Sequence, residues 1–326
     1  MVFESRAGVW TFSKGMEKIL IIHSGGIGDL LLALPAMRSF RRYYSRARLE
    51  LLGRSERLPL VAFDLAAQTI LSIDRAAWAY LYLEEGPLPE SLSSFFGAFQ
   101  AILLFGRSNL SRLSEKLQLA GAQRIVAIPS FPSQGSRLHV RDFLHEAMEA
   151  QGFGVKDLTF PLTLPPEILE WGRHFLEEKG MERLSKVLAI HPGSGSSEKN
   201  WPLDRFWQLG EWAKERCRVL WILGPAEIEN SEVSTRFKKP NVWVADQVPL
   251  LNLAGILKGC SAYLGNDSGI THLASSLGIP TVALFGPTDP SVWGPKGSAV
   301  KIVYNKGGME EIHPVEAMEA IASFLS

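Results

Sequence analysis

The sequence predicts an α/β protein of two consecutive doubly wound domains. Three observations carry this. Residues 262–287 (AYLGNDSGITHLASSLGIPTVALFGP) read as a complete βαβ unit. An apolar run leads into the polar turn Gly265-Asn266-Asp267-Ser268-Gly269, and Ile270, Leu273, Ala274 and Leu277 then recur at helical spacing. Gly278 and Pro280 stop that helix before a second buried run at 281–285. Second, alternating apolar runs and amphipathic stretches occur in two sets. They are separated by FPLTLPP at 160–166, whose three prolines and lack of helical period read as an interdomain linker. Third, 326 residues at 46% hydrophobic content supply two cores.

In the first set, residues 18–23 (KILIIH) form a buried strand and 24–29 (SGGIGD) a glycine-rich turn. A helix follows from Leu30 to about Tyr43, with Pro35 tolerated near its first turns. Strands follow at 49–52, 69–73, 101–105 and 124–128, and a helix at 137–151 ends at Gly152. In the second set a helix at 167–178 precedes a strand at 187–191 and a glycine/serine loop at 192–202. Pro202 suits the first position of a helix at 203–216. A strand at 219–223 closes on Gly224-Pro225. A short strand at 242–245, a helix at 250–258, the βαβ unit, a strand at 299–303 and an amphipathic helix at 314–325 complete the chain. In such a fold the ligand is expected at the carboxyl ends of the strands, between the domains.

Composition narrows the function classes. With 34 basic and 34 acidic residues the net charge is +0, which argues against nucleic acid. Cys217 and Cys260 lie beside apolar runs and read as reduced core residues of a cytosolic protein. No apolar run approaches the ~20 residues of a membrane span. Residues 1–16 lack the apolar core of a signal peptide and read as a disordered extension, with Met16 an alternative start.

The turn at 265–269 is the most informative stretch. Asp267 or Ser268 can cap the following helix, whose free N–H groups and dipole favour an anion, most often phosphate. Ser268 and Gly269 are small enough to let it approach. Asp267 must turn away from a phosphate, towards the cap or nearby hydroxyls. Gly26-Ile27-Gly28 resembles a dinucleotide fingerprint but has Leu31 where the third glycine belongs, and no Walker lysine follows. Asp29 is either a helix cap or a general base for a hydroxyl nucleophile. Lys199 is either a solvated surface lysine or the cation that neutralises a departing diphosphate. Glu227 either takes ribose hydroxyls or stands exposed. His272 either donates to a phosphate or stabilises the turn. Trp201 reads as packing, and His191 as satisfying a local hydrogen bond. Arg38, Arg41, Arg42, Arg46 and Arg48 form a basic cluster, read as solvated surface with a weaker case for lipid headgroups. No metal-ligand spacing and no Ser-His-Asp arrangement occurs.

Three blocks resemble glycosyltransferase family 9, the heptosyltransferases of lipopolysaccharide inner-core synthesis. They are SGGIGDLLLALPAMRSFRRYYSRARLELL, HPGSGSSEKNWPLDRFWQL and LGNDSGITHLASSLGIPTVALFGPTDP, in the family's order and spanning nearly the whole chain. The resemblance implies a GT-B fold, two Rossmann-like domains facing each other across a cleft. It implies an N-terminal acceptor domain (1–165) and a C-terminal donor domain (166–326) whose last helix packs back on the first. It implies inverting transfer without a metal from a nucleotide-sugar, usually ADP-L-glycero-D-manno-heptose, to a lipid-linked saccharide such as the lipopolysaccharide core. The enzyme is then expected in the cytoplasm, with peripheral contact at the inner membrane. By the matching motifs Asp29 is the general base and Lys199 meets the diphosphate. Asp267, Ser268, Gly269 and His272 form the donor turn, Glu227 binds the nucleoside, and Gly28, Ser194 and Ser196 complete the donor set. Where the family's loop often carries Thr-Thr, this chain has Gly193-Ser194-Gly195-Ser196. A non-hydrolysing nucleotide-sugar epimerase and an inactive nucleotide-sugar-binding paralogue share the same plan.

Overall fold

The computed structural model describes residues 17–83, 86–107, 109–154, 161–181, 186–229, 235–239 and 241–325; the N-terminal extension lies outside them. The chain forms two compact units. The first comprises the described parts of Met1–Gly25, Ala33–Ser136 and Val140–Phe160; the second those of Gly26–Leu32, Arg137–His139 and Pro161–Ser326.

The first unit holds a parallel sheet of β1 (Lys18–His23), β2 (Arg48–Gly53), β3 (Thr69–Ser72), β4 (Ala101–Gly106) and β5 (Ile125–Pro129), in the order β3-β2-β1-β4-β5. Its central strands are apolar on both faces because helices cover both. One core gathers Leu20, Ile22, Leu52, Ile102 and Leu104 with Trp78, Phe95, Phe96 and Phe99. The helix expected at 30–43 is two helices, α1 (Ile27–Leu32) and α2 (Leu34–Tyr43), because Pro35 sits in the first turn of the second. Further helices are α3 (Pro59–Ala62), α4 (Glu90–Gly97), α5 (Leu110–Leu119) and α6 (Val140–Ala150). The last begins three residues later than predicted, since 137–139 belong to the other unit.

The basic cluster on α2 is not one solvated face. Arg38 is buried and its guanidinium grips Asp64 through two bonds, Nε to Oδ2 at 2.8 Å and Nη2 to Oδ1 at 2.7 Å. Arg41 donates to the carbonyls of Leu65 and Tyr44. Arg42, Arg46 and Arg48 remain exposed.

The second unit holds a six-stranded parallel sheet in the order β11-β10-β9-β6-β7-β8. Its strands are β6 (Val187–His191), β7 (Arg218–Leu223), β8 (Trp243–Asp246), β9 (Ala262–Asn266), β10 (Thr281–Phe285) and β11 (Val300–Tyr304). Its helices are α7 (Pro166–Glu178), α8 (Leu203–Ala213), α9 (Pro225–Glu229), α10 (Leu250–Lys258), α11 (Gly269–Ser276), α12 (Pro290–Trp293) and α13 (Pro314–Leu325). The described end of the FPLTLPP stretch is not a free tether. Leu162 and Leu164 are buried, and the Leu162 N–H donates to Ser276 O at 2.7 Å. The stripe of Ala317, Ile321 and Leu325 on the final helix joins the core of the second unit, with Trp201, Phe206, Leu264 and Leu284.

Candidate functional site

The strand order of the second sheet reverses between β6 and β9, which are neighbours although two strands intervene in sequence. Loops after such a pair splay apart at the carboxyl edge and leave a crevice. The loop 192–201 leaves β6 and the turn 267–269 leaves β9. Asn266, fully buried, joins them: its Nδ2 donates to Pro192 O at 2.7 Å and its Oδ1 accepts the Trp201 N–H at 3.1 Å. Trp201 is packed, as expected, with its indole N–H on Ile312 O.

Ser268, not Asp267, caps α11. Its backbone is extended and its Oγ accepts the Thr271 N–H at 3.3 Å. The buried Thr271 hydroxyl donates to Asn266 O at 2.5 Å, which locks the turn. The Asp267 carboxylate is free of capping duty. Its Oδ2 accepts Lys199 Nζ at 2.6 Å and the Thr288 hydroxyl at 2.6 Å. Lys199, placed by a short 3-10 turn at Ser197–Lys199, therefore does not stand out in solvent. Its side chain is 31% exposed against 8% for Asp267.

Asp29 belongs to this unit. Helix α1 leaves the first sheet's turn but packs on α11, and two glycines permit it. A Cβ on Gly269 would stand 2.7 Å from the Ile27 Cβ; one on Gly28 would stand 3.0 Å from the His272 ring. Asp29 is not the N-cap. It is the third residue of α1 and reaches back, Oδ2 accepting the Gly26 N–H at 2.9 Å, as in a capping box. Oδ1 accepts no hydrogen bond among the described residues. His272 lies between these groups. Burial pushes its pKa down to about 4; the negative charges of Asp267 and Asp29 oppose this, while His139 and Lys199 reinforce it. The imidazole is thus neutral near pH 7, and its ring nitrogens make no hydrogen bond among the described residues.

Glu227 repeats the Asp29 geometry after β7. It is the third residue of α9, and its Oε2 accepts the Gly224 N–H at 2.8 Å. The carboxylate occupies the space where a side chain on Gly193 would lie, a Cβ there meeting Oε2 at 2.8 Å. His191, behind it, donates Nδ1–H to Ile222 O at 2.9 Å and is driven towards neutrality by burial. Ser194 spends its hydroxyl within the loop, donating to Ser196 O at 2.7 Å, and Ser196 is exposed. The structure thus brings Gly28, Asp29, Lys199, Asp267, Ser268, Gly269 and His272 into one cluster. Glu227 forms a second centre with His191 and Gly193, and Ser194 and Ser196 lie on the loop leading from it to Lys199.

Three participants escape a reading by residue type. Asn266 and Thr288 sit inside the conspicuous motifs, but their roles need the register of β9 beside β10. His139 comes from a segment read as helix. It is buried, and its Nε2 donates to Gly294 O at 2.9 Å. Among the described residues no group of three or more His, Cys, Asp and Glu side chains could hold a metal ion, and no helix is long and apolar enough to cross a membrane.

Two doubly wound parallel sheets, with polar groups gathered at the switch point of the second, define a fold of the GT-B class. Residues 136–321, more than half of the chain, match the model of glycosyltransferase family 9 (heptosyltransferase), and the chain belongs to that family. Lipooligosaccharide heptosyltransferase 2 of Haemophilus ducreyi is 23% identical, the match covering 93% of each chain. Among solved structures, the family 9 glycosyl transferase of Veillonella parvula superposes with a TM-score of 0.77 at 18% identity, covering 95% of this chain and 97% of that one. The Escherichia coli ADP-heptose lipopolysaccharide heptosyltransferase II superposes with a TM-score of 0.72 at 17% identity, covering 94% and 98%.

Proposed function

We propose that the protein transfers a heptose or related sugar from an ADP-sugar to a saccharide of a lipopolysaccharide core, with inversion at the anomeric carbon and without a metal ion. One observation carries the reading. Asp29, a carboxylate with one oxygen that accepts no hydrogen bond among the described residues, stands in the same unit as the capped amide end of α11 and the Lys199 ammonium. This is a proton acceptor beside a place for a departing diphosphate.

In the reaction, the acceptor hydroxyl attacks the anomeric carbon and Asp29 Oδ1 takes its proton. The bond from that carbon to the phosphate oxygen breaks, and the nucleoside diphosphate carries the electron pair away. The N–H groups at the start of α11 and Lys199 face the charge that develops. Glu227 accepts ribose hydroxyls, the role common for a carboxylate at a strand's carboxyl end. His272, neutral at pH 7, serves as a hydrogen-bond donor rather than a cation. The sugar, nucleotide and acceptor are those named for the E. coli and H. ducreyi relatives.

The test is to incubate the enzyme with ADP-heptose, with and without a core acceptor, in buffer containing EDTA. Release of ADP that requires the acceptor, and a product of inverted anomeric configuration by NMR, are expected. Retained configuration refutes the displacement. Interconversion of the donor alone identifies an epimerase. Loss of turnover to EDTA refutes metal independence.

A further inference from the structure

We infer that Thr288 is a positioning residue of the transfer reaction, holding the Asp267 carboxylate in the one rotamer that serves Lys199. The inference rests on the donor-site reading of Lys199 and Asp267. It starts from register. Strands β9 and β10 pair in parallel with Asn266 beside Leu284, and the Asp267 N–H continues the ladder to Leu284 O at 2.9 Å. The next residues on each strand therefore leave the sheet edge side by side, Asp267 from β9 and the 286–288 turn from β10. That turn is fixed from behind, because a Cβ on Gly286 would come within 2.8 Å of Met309. It is fixed in front by Asp289, whose Oδ1 caps α12 through the Ser291 N–H at 2.8 Å. Thr288 is thus delivered to Asp267 by two anchored neighbours.

The consequence is chemical. Lys199 Nζ and the Thr288 hydroxyl converge on the same oxygen, Oδ2, each at 2.6 Å. A carboxylate held by a flexible lysine alone can rotate to follow it. Held also by a hydroxyl on a rigid turn, it cannot. When a diphosphate draws Lys199 away, the nearly buried Asp267 would lose its main partner in the presence of more negative charge. The Thr288 hydroxyl remains and supplies a hydrogen bond to the charged form. Thr288 thereby lets Lys199 pass between Asp267 and the diphosphate without Asp267 swinging into the leaving group's place.

The experiment uses the full-length protein and compares Thr288→Val, which keeps shape and removes the hydroxyl, with Thr288→Ser, which keeps the hydroxyl. Both are measured for kcat, for KM towards ADP-heptose and for melting temperature, alone and in a Lys199→Met background. Thr288→Val is expected to lower kcat/KM by roughly ten- to a hundredfold, the size of one hydrogen bond to a charged group. Thr288→Ser should restore most of it. In the Lys199→Met background the valine substitution should cost little more, because the two bonds serve one task. Equal, multiplicative losses in both backgrounds, or a loss that serine does not rescue, would overturn the inference and leave Thr288 a turn-former. If Lys199→Met alone changes neither kcat nor KM, the donor-site reading itself fails, a result separate from a Thr288→Val variant that is inert while Lys199→Met is not.

Discussion

His272 gives the fold a calculable dependence on pH. Its ring is buried, and burial lowers its pKa from 6.5 to about 4 despite the nearby Asp267 and Asp29 carboxylates. The folded protein therefore takes up this proton less readily than the unfolded chain. Stability from His272 is intact above pH 6.5, falls as the pH drops towards 4, and falls no further below that. The gap between 6.5 and about 4, at ~1.36 kcal/mol per pH unit, amounts to about 3 kcal/mol. The perturbation is His272→Gln, which cannot titrate. Urea unfolding of both proteins at intervals from pH 7.5 to 3.5, taken as the difference between them, cancels every group they share, including the similarly lowered His191. The wild type should lose about 3 kcal/mol relative to the variant across that window. A difference independent of pH would refute the reasoning, and would place the ring in contact with water or with a fixed negative partner.

Further substitutions follow from the packing and the ion pairs. Gly269→Ala pushes a Cβ to 2.7 Å from Ile27 and should cost about 1–3 kcal/mol, with faster amide exchange in α1; Gly26→Ala, whose Cβ meets only Asp29 at 3.4 Å, should be near neutral in the same assay. Arg38→Met takes the paired guanidinium away from the buried Asp64 carboxylate and should lower stability by about 3–5 kcal/mol by thermal unfolding, with much of it recovered in Arg38→Met/Asp64→Leu. Lys199→Ala removes the cation from Asp267 and should cost about 1–2 kcal/mol of stability, discounted for the lysine's exposure, while weakening donor binding in a calorimetric titration.

Much of the fold is legible because its signals are local. Residues 262–285 change from a strand pattern to a helical period and back within one unit, and the structure has β9, α11 and β10 there. Helix α5 was within reach too, since Leu110, Leu113 and Leu117 lie at helical spacing. What the residues do not announce is tertiary. Pro35 announces the break between α1 and α2, but the membership of α1 in the second unit depends on the close approach of Ile27 to Gly269 and of Gly28 to His272, across more than two hundred residues. The inward turn of Arg38 depends on Asp64, 26 residues on. The residue types of the site were likewise readable, but their hydrogen bonds were not. Asp29 and Ser268 each offered a plausible cap; only the helix starts at Ile27 and Gly269 separate a carboxylate reaching back to Gly26 from a true N-cap.

The most direct measurement is single-turnover transfer by Asp29→Asn, beside titration of ADP-heptose into the same protein. Asparagine can still accept from Gly26 but cannot take a proton. Donor affinity should be unchanged and transfer slowed by about 10²–10⁴-fold, the usual contribution of a general base. A transfer rate near that of the wild type would contradict that role.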